Sequence, residues 1–526
     1  MAPTHAAVRL LGQGAMTMHK AAQAKFNQKW TPEYLNLTGE SAREMKLRWC
    51  RARATILDEM SMAAPEVYHA LGYRIAHARY FEKELNINLK EYATQWFGNM
   101  PIGIQLGDFM QLRPAARRSL CEWIIEGDHT VEELTSHLES TASEMGRTMF
   151  QRSFTHVVQF HGTGRFSACQ DGQDLVQLLT CMREGKPLSD ELWAKLKMQE
   201  VNLESTDRRL EEARRQDAHE GAFIWEIVAR LQHLRAMRDA STAGKRLYYV
   251  QAVDHYLNNV HPLSRAETFE ALQVVSMTNT GLLMGMVPLF QGMQVRVSAN
   301  VHQNALLTRE LVGTVVGIQL HSKEPKAHSS DASASQEPCI LNYLPACVLV
   351  KLEDAHLKET LFSADLDPGV IALEPQLASW IWHREVPSAG HRTGRKPVES
   401  KMHRYQIPLC PRKVNTHFGL QGQTARDGLI AFLQKPPKQS AGDYFLGVYV
   451  MLSRVTKLSD LLIVDLPERS LFESTDGQGL GTLLTLQKRM KYFQAQAVEG
   501  KEKSAQIMKL LGWEENLSYD LKEALL

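Results

Sequence analysis

Two apolar runs that close on acidic residues constrain this chain more than any other feature. The first is Ile56-Leu57-Asp58-Glu59-Met60-Ser61; the second runs from Pro101 to Leu106 and ends in Gly107-Asp108-Phe109-Met110-Gln111-Leu112. A short apolar run bounded by turn residues reads as a buried strand. Each such strand delivers carboxylates to its carboxyl end. Between them, residues 64–98 carry Tyr68, Leu71, Ile75 and Ala78 near a period of 3.6, which predicts a helix. Strand, helix and strand in that order imply a parallel α/β sheet.

Carboxylates gathered at strand ends need a counter-charge, and a magnesium nucleotide supplies one. One acid can hold Mg²⁺ while its neighbour polarises a water beside a nucleoside triphosphate, and a Gln just beyond the second strand stands where it can sense a phosphate. The pair points to an ATP-driven motor. The loop expected to cradle the phosphates does not occur in the chain: Gly390 to Lys396 has the wrong spacing, and Pro397 follows Lys396 where a helix should open with Ser or Thr.

A chain of 526 residues is long enough for two or three domains. Its formal net charge of +1 offers no global basic field, so any nucleic-acid site must rest on local patches. The seven cysteines are scattered and form no C-x-x-C pair, which favours a reducing interior over structural zinc or a disulfide framework. No apolar stretch approaches the length of a membrane span. The first thirty residues lack acids and carry Arg9, Lys20, Lys25 and Lys29, a composition shared with organelle transit peptides.

Further along, 199–243 is charge-dense with an apolar stripe and reads as a solvated helical linker or hairpin. Met293, Val295 and Val297 alternate with polar residues as a half-buried strand does, and Gly313 to Gly317 reads as another. Ser322 to Pro338 is low in complexity and is expected to be disordered. Strong α/β character returns at 411–466.

Arg454 follows an apolar run, where an arginine is ordinarily a surface or ion-pair residue; late in a two-lobed chain it can instead reach a γ-phosphate across a cleft. Arg165, in a loop, could do the same. Gln421-Gly422-Gln423-Thr424 is either a simple turn or a place where backbone approaches a nucleic-acid phosphate. His391, Arg392, Arg395, Lys396, Lys401, His403, Arg404, Arg412 and Lys413 form a basic run broken only by Glu399, a solvated loop or a phosphate-attracting patch.

In order, these pieces resemble the Pif (petite integration frequency) helicases of superfamily 1B, with the helicase parts of Helitron-type elements and RecD-like motors as relatives. Ala2 to Ala7 with Thr17-Met18-His19 resembles motif Ia, with His5 where Gly is usual. Asp58 to Met62 resembles motif II, Gly107 to Pro114 motif III, Thr416 with Gln421 to Thr424 motif V, and Tyr449 to Val455 motif VI. Arg165 falls where the motif IV arginine is expected, followed by Met182-Arg183-x-Gly185. The resemblance implies two RecA-like lobes with ATP and Mg²⁺ between them. Single-stranded or forked DNA would be the partner, RNA not being excluded, with translocation 5′ to 3′ and a place in DNA repair, recombination or telomere maintenance. It implies that Asp58 carries Mg²⁺, Glu59 activates water, Gln111 senses the γ-phosphate, and Arg165 and Arg454 are arginine fingers. Asp108 and Gly422 would join Asp58, Gln111 and Arg454 around the nucleotide. Pro3, Thr4, His19, Thr416, His417 and Thr424 would contact nucleic acid.

Phe418-Gly419-Leu420 departs from the usual form of motif V. The phosphate-loop motif normally precedes motif Ia, so the resemblance also implies a chain truncated before it, which accounts for the basic start better than targeting does. The expected protein is intracellular: nuclear in a eukaryote, with a mitochondrial alternative. The expected architecture is α/β, with a first RecA-like lobe over 1–198 lacking its phosphate-loop strand and helix and a charged helical linker over 199–245. A second lobe would start over 246–291, be interrupted by a small β-barrel-like insertion over 292–410, and resume over 411–472 before a helical tail, 473–526. The expected activity is that of an ATP-dependent DNA helicase. The alternative is a catalytically dead nucleic-acid-binding remnant of a helicase or mobile element.

Overall fold

The structure is a computed structural model. Residues 4–7, 9–10, 12–14, 25–36, 81–95, 109, 115–119, 121–140, 155–156, 158–163, 204–206, 259–261, 303–306, 326–336, 388–394, 473–493, 496, 501, 504 and 507–526 lie outside the residues it describes. The expected disordered loop and helical tail fall largely there.

The acidic strands are β1 (Ala54–Leu57) and β2 (Ile102–Gln105), paired in parallel with Ala54 opposite Ile102 and Leu57 opposite Gln105. The helix Pro65–Tyr80 opens on a proline, whose missing N–H costs nothing in a first helical turn. It buries Val67, Tyr68, Leu71 and Ile75 against Met18, Trp49, Leu57 and Met149. The helix Thr141–Ser153 crosses it so closely that a β-carbon on Gly146 would lie 1.9 Å from Pro65 O. The strands are not the buried ones the apolar runs predict: among the described residues one face of the pair is uncovered, with Ile56, Ile102 and Ile104 at 44%, 51% and 43% exposed. Parallel strands are ordinarily covered on both faces.

The remaining strands are β3 (His219–Ala222), β4 (Tyr248–Gln251), β5 (Val253–Tyr256), β6 (Met286–Leu289), β7 (Gln294–Val297), β8 (Val312–Gln319), β9 (Cys339–Ile340), β10 (Cys347–Leu352), β11 (Val370–Leu373), β12 (Gln376–Pro387), β13 (Arg395–Gln406), β14 (Leu409–Pro411), β15 (Val414–Thr416), β16 (Leu429–Phe432) and β17 (Leu461–Val464). A second parallel sheet has the order β15-β3-β16-β17. One face packs on the helices Gln170–Glu184, Asp190–Lys197 and Ala441–Leu452 through Leu175, Leu192, Phe445 and Met451. The other packs on Arg208–Arg215 and Trp225–Thr242 through Leu210, Val228 and Leu231. Three layers around a parallel sheet are an α/β sandwich.

In the chain, between β3 and β15 of that sheet, comes a β-rich unit: an open sheet ordered β11-β10-β8-β7-β14 and two three-stranded sheets, β12-β13-β5 and β6-β4-β9. Among the described residues this sheet runs from β11 to β14, and the expected barrel-like closure is not shown. Leu247, Val250 and Val287 share one core with Val295, Val348 and Leu409.

Three expected boundaries move. Residues 170–197, read as the end of the first lobe, pack on the second sheet. The supposed linker 199–245 supplies β3, an inner strand of that sheet, buried along its length. Residues 246–291 belong to the β-rich unit, because their apolar residues complete its core. Among the described residues no helix is long and apolar enough to cross a membrane.

Candidate nucleotide cleft

Asp58 and Glu59 follow β1 directly. Asp58 Oδ1 accepts from Glu59 N at 2.9 Å, and Glu59 takes a left-handed backbone with φ +53 as it enters the short turn Met60–Met62. That conformation is uncommon outside glycine. Met60 N donates to Leu106 O at 2.9 Å, and a β-carbon on Gly107 would lie 2.8 Å from Met60 N. The two strand ends therefore touch through backbone. Past β2, Asp108 Oδ1 accepts from Met110 N at 2.9 Å and Asp108 O accepts from Gln111 N at 3.0 Å. Both acidic turns stand on one sheet edge.

The second lobe faces them. The helix Ala441–Leu452, capped by Ser440, leads into Ser453 and Arg454; the turn after His417–Leu420 carries Gln421, Gly422 and Gln423. Gln421 Nε2 donates to Glu59 Oε2 at 3.2 Å. Gly422, at φ +77, lies beside the same carboxylate, a β-carbon there falling 3.9 Å from Glu59 Oε1. Arg183 Nη2 donates to Asp108 Oδ2 at 2.8 Å and to the Tyr449 hydroxyl at 2.7 Å. Arg165 Nη1 donates to Ser453 O at 2.9 Å. Arg454 is 1% exposed and donates to Val450 O at 2.8 Å, Ser453 Oγ at 2.6 Å and Gln423 O at 3.4 Å.

Charges feel each other across this gap. Burial lifts the Glu59 carboxyl above its ordinary range; the Gln421 bond and Arg454 oppose the lift, while Asp58 and Asp108 add to it. Burial and then the neighbouring Arg165 pull the Arg454 guanidinium down to about 10, against the pull of Glu59 and Asp108. Burial lowers Arg165 too, with Glu59 opposing. Burial would lower Arg183, but Asp108 and Tyr449 outweigh it and hold it up. Three carboxylates opposite three guanidiniums suit a ligand with both cationic and anionic parts.

Asp58, Glu59, Asp108, Gln111, Arg165, Gly422 and Arg454 thus border one cleft or sit in the turns that build it. Among the described residues the buried Gln111 Oε1 and Gln421 Oε1 have no hydrogen-bond partner, which leaves each able to accept from a bound water or ligand.

The expected nucleic-acid contacts fare differently. Pro3 and His19 flank the Ala2–Thr17 bridge of the first lobe, and Thr4 lies outside the described residues. Thr416 caps a helical turn by accepting from Gly419 N at 3.3 Å, and Thr424 is half-buried. His417 is a correction. It is 5% exposed, with its ring centroid 4.5 Å from that of Phe223, and burial pushes its imidazole down to about 4. Packed in the core in this way, the ring is not placed to reach a phosphate. Three members of the basic run are engaged in ion pairs: Arg404 is paired with Asp254, Arg412 with Glu353, and Lys413 with Asp217 and Asp427. The Arg183 contact is not legible in the sequence, since its partners lie 75 and 266 residues away.

No family model and no curated protein matches the chain. Solved structures do. Pif1 from Bacteroides in complex with ADP-AlF3 and single-stranded DNA is 15% identical with a TM-score of 0.51, covering 93% of this chain and 86% of that one. A structure of two coordinating Pif1 helicases at forked double-stranded DNA is 15% identical with a TM-score of 0.50 and the same coverage, 93% and 86%. Bacteroides Pif1 bound to single-stranded DNA is 14% identical with a TM-score of 0.50, covering 89% and 83%. The fold is that of the Pif1 helicases. The two parallel-sheet lobes described above correspond to the two RecA-like lobes of the Pif1 fold, and the cleft lies between them.

Proposed function

We propose that this chain carries the working cleft of an ATP-dependent helicase that translocates 5′ to 3′ on single-stranded or forked DNA. One observation carries the reading: Glu59, on the first lobe, bonded to Gln421 of the second, shares a gap with Arg165 and Arg454, close enough for its charge to act on both guanidiniums. Opposed acidic and guanidinium walls suit phosphoryl transfer, where catalysis is mainly positioning and charge stabilisation. Mg²⁺ takes one or two carboxylates and completes its shell with phosphate oxygens and water, a demand Asp58 can meet. Magnesium would neutralise charge building on the phosphates. Glu59, its carboxyl raised by burial, would take a proton from the attacking water. Gln111 would orient that water through its unpartnered Oε1. Arg165 and Arg454 would face the γ-phosphate, Arg454 after releasing its bonds to Val450 and Ser453. The neighbours bound to DNA make DNA the proposed partner.

DNA-stimulated ATP hydrolysis by the full chain tests the reading. Loss of a general base costs about 10²–10⁴-fold, so Glu59→Gln should abolish turnover while DNA binding persists. Turnover unaffected by that change would refute the assignment.

A second reading is a module that binds nucleic acid without turnover. It is favoured by Arg454 being engaged with its own helix. DNA binding by the wild-type chain with no hydrolysis would select it.

A further inference from the structure

We propose that Arg183 is a positioning residue: it ties the Asp108 turn of the first lobe to Tyr449 of the second, so that the placement of Gln111 follows the closure of the lobes.

Arg183 lies in the last turn of the helix Gln170–Glu184, which packs on the second sheet and stops at Gly185 in a left-handed conformation with φ 66. The neighbouring Cys181 and Met182 are buried in that core, so the helix end is fixed to the second lobe. From it one guanidinium nitrogen, Nη2, donates to Asp108 and to Tyr449. The guanidinium carbon also lies 5.8 Å from the centroid of the Tyr449 ring, which is itself 5% exposed and immobilised by packing.

Asp108 divides its oxygens. Oδ2 accepts from Arg183 and Oδ1 accepts from Met110 N, while its carbonyl accepts from Gln111 N. A single carboxylate thus fastens both its own turn and the opposite lobe. A lobe movement that pulls Arg183 away must rotate the carboxylate or free it, and the Met110–Gln111 backbone is bonded to the same residue. Both side chains are partly shielded, at 35% and 25% exposure, so this bridge is not a fully solvated surface pair. The role of Gln111 rests on the helicase reading; the mechanical tie between Arg183 and the turn does not.

The test is amide hydrogen exchange at Met110 and Gln111 in the nucleotide-free full chain. Hydrogen bonds to charged groups contribute about 1.5–3 kcal/mol, so Arg183→Gln should speed exchange at these amides roughly 10-fold or more, with the global unfolding midpoint little changed. Arg183→Lys, which keeps the charge, should recover part of the protection. Tyr449→Phe should add little on top of Arg183→Gln, because the two act through one bridge. Unchanged exchange in Arg183→Gln, or acceleration spread evenly over the first lobe, would overturn the proposal. Titration with magnesium, ADP and aluminium fluoride forms a separate arm. A loss of affinity in Arg183→Gln that lysine restores would extend the role to nucleotide binding; a wild-type chain that binds none would sink the helicase reading alone.

Discussion

Gln421 donates a hydrogen bond to Glu59 at 3.2 Å although 362 residues separate them. The bond joins the two lobes at the carboxylate proposed above as the base. It also opposes the burial that raises this carboxyl, because a donor to a carboxylate favours its charged form.

Removing that donor should move the acid limb of activity. In Gln421→Ala, Glu59 loses the main influence holding its pKa down and rises further. The limb of the turnover–pH profile on which Glu59 deprotonates should therefore shift to higher pH, with the plateau less affected. An acid limb that stays in place would separate Glu59 from the rate-determining ionisation.

The same carboxyl predicts a dependence of stability on pH. A group whose pKa is higher folded than unfolded favours the fold while protonated, below its ordinary value of 4.5, and loses that contribution as pH rises through the folded value. Glu59→Gln should therefore be more stable than wild type at neutral pH, with the gain disappearing below about pH 4, near the unfolded carboxyl value. Urea midpoints at several pH values measure this. A variant equally destabilised at every pH would show that the carboxylate does structural duty instead.

Arg404 of β13 and Asp254 of β5, opposite each other in the sheet, form a buried pair, 0% and 1% exposed. Arg404→Ala leaves Asp254 without its partner and should cost about 3–5 kcal/mol. The double change Arg404→Met with Asp254→Leu should recover most of the loss, since no unpaired charge remains. Denaturant unfolding would decide between this and a basic residue kept for ligand attraction, whose replacement would be nearly neutral.

Gly146→Ala tests the helix crossing of the first lobe. Its methyl group would overlap Pro65 O, and overpacking of this kind typically costs about 1–3 kcal/mol. Gly164, where an added β-carbon would meet nothing within 4 Å, is the control and should tolerate alanine within about 0.5 kcal/mol. Equal effects at both positions would mean the helices can separate without cost.

The sequence by itself determined the acidic strand tips. An apolar run ending in Asp58-Glu59 or Gly107-Asp108 marks strand, turn and carboxylate locally, so these are legible together; burial is not, since Ile56, Ile102 and Ile104 are exposed. The strand β3 was not legible, because its sequence, His-Glu-Gly-Ala, is polar where a parallel strand should be apolar. Tertiary pairing makes it possible: the buried Glu220 lies near Arg214 and Arg235, which also binds Asp217, and these partners come from flanking helices and loops. The charged helix Arg208–Arg215 beside it dominates local composition and hides a strand only four residues long. His417 shows the same limit in reverse. A histidine after a threonine looks available, yet Phe223, nearly two hundred residues earlier, covers its ring. Which carboxylate meets which guanidinium was likewise decided only by the tertiary structure. Coulombic and hydrogen-bond energies depend on distances of a few ångströms, and separation along the chain does not record them.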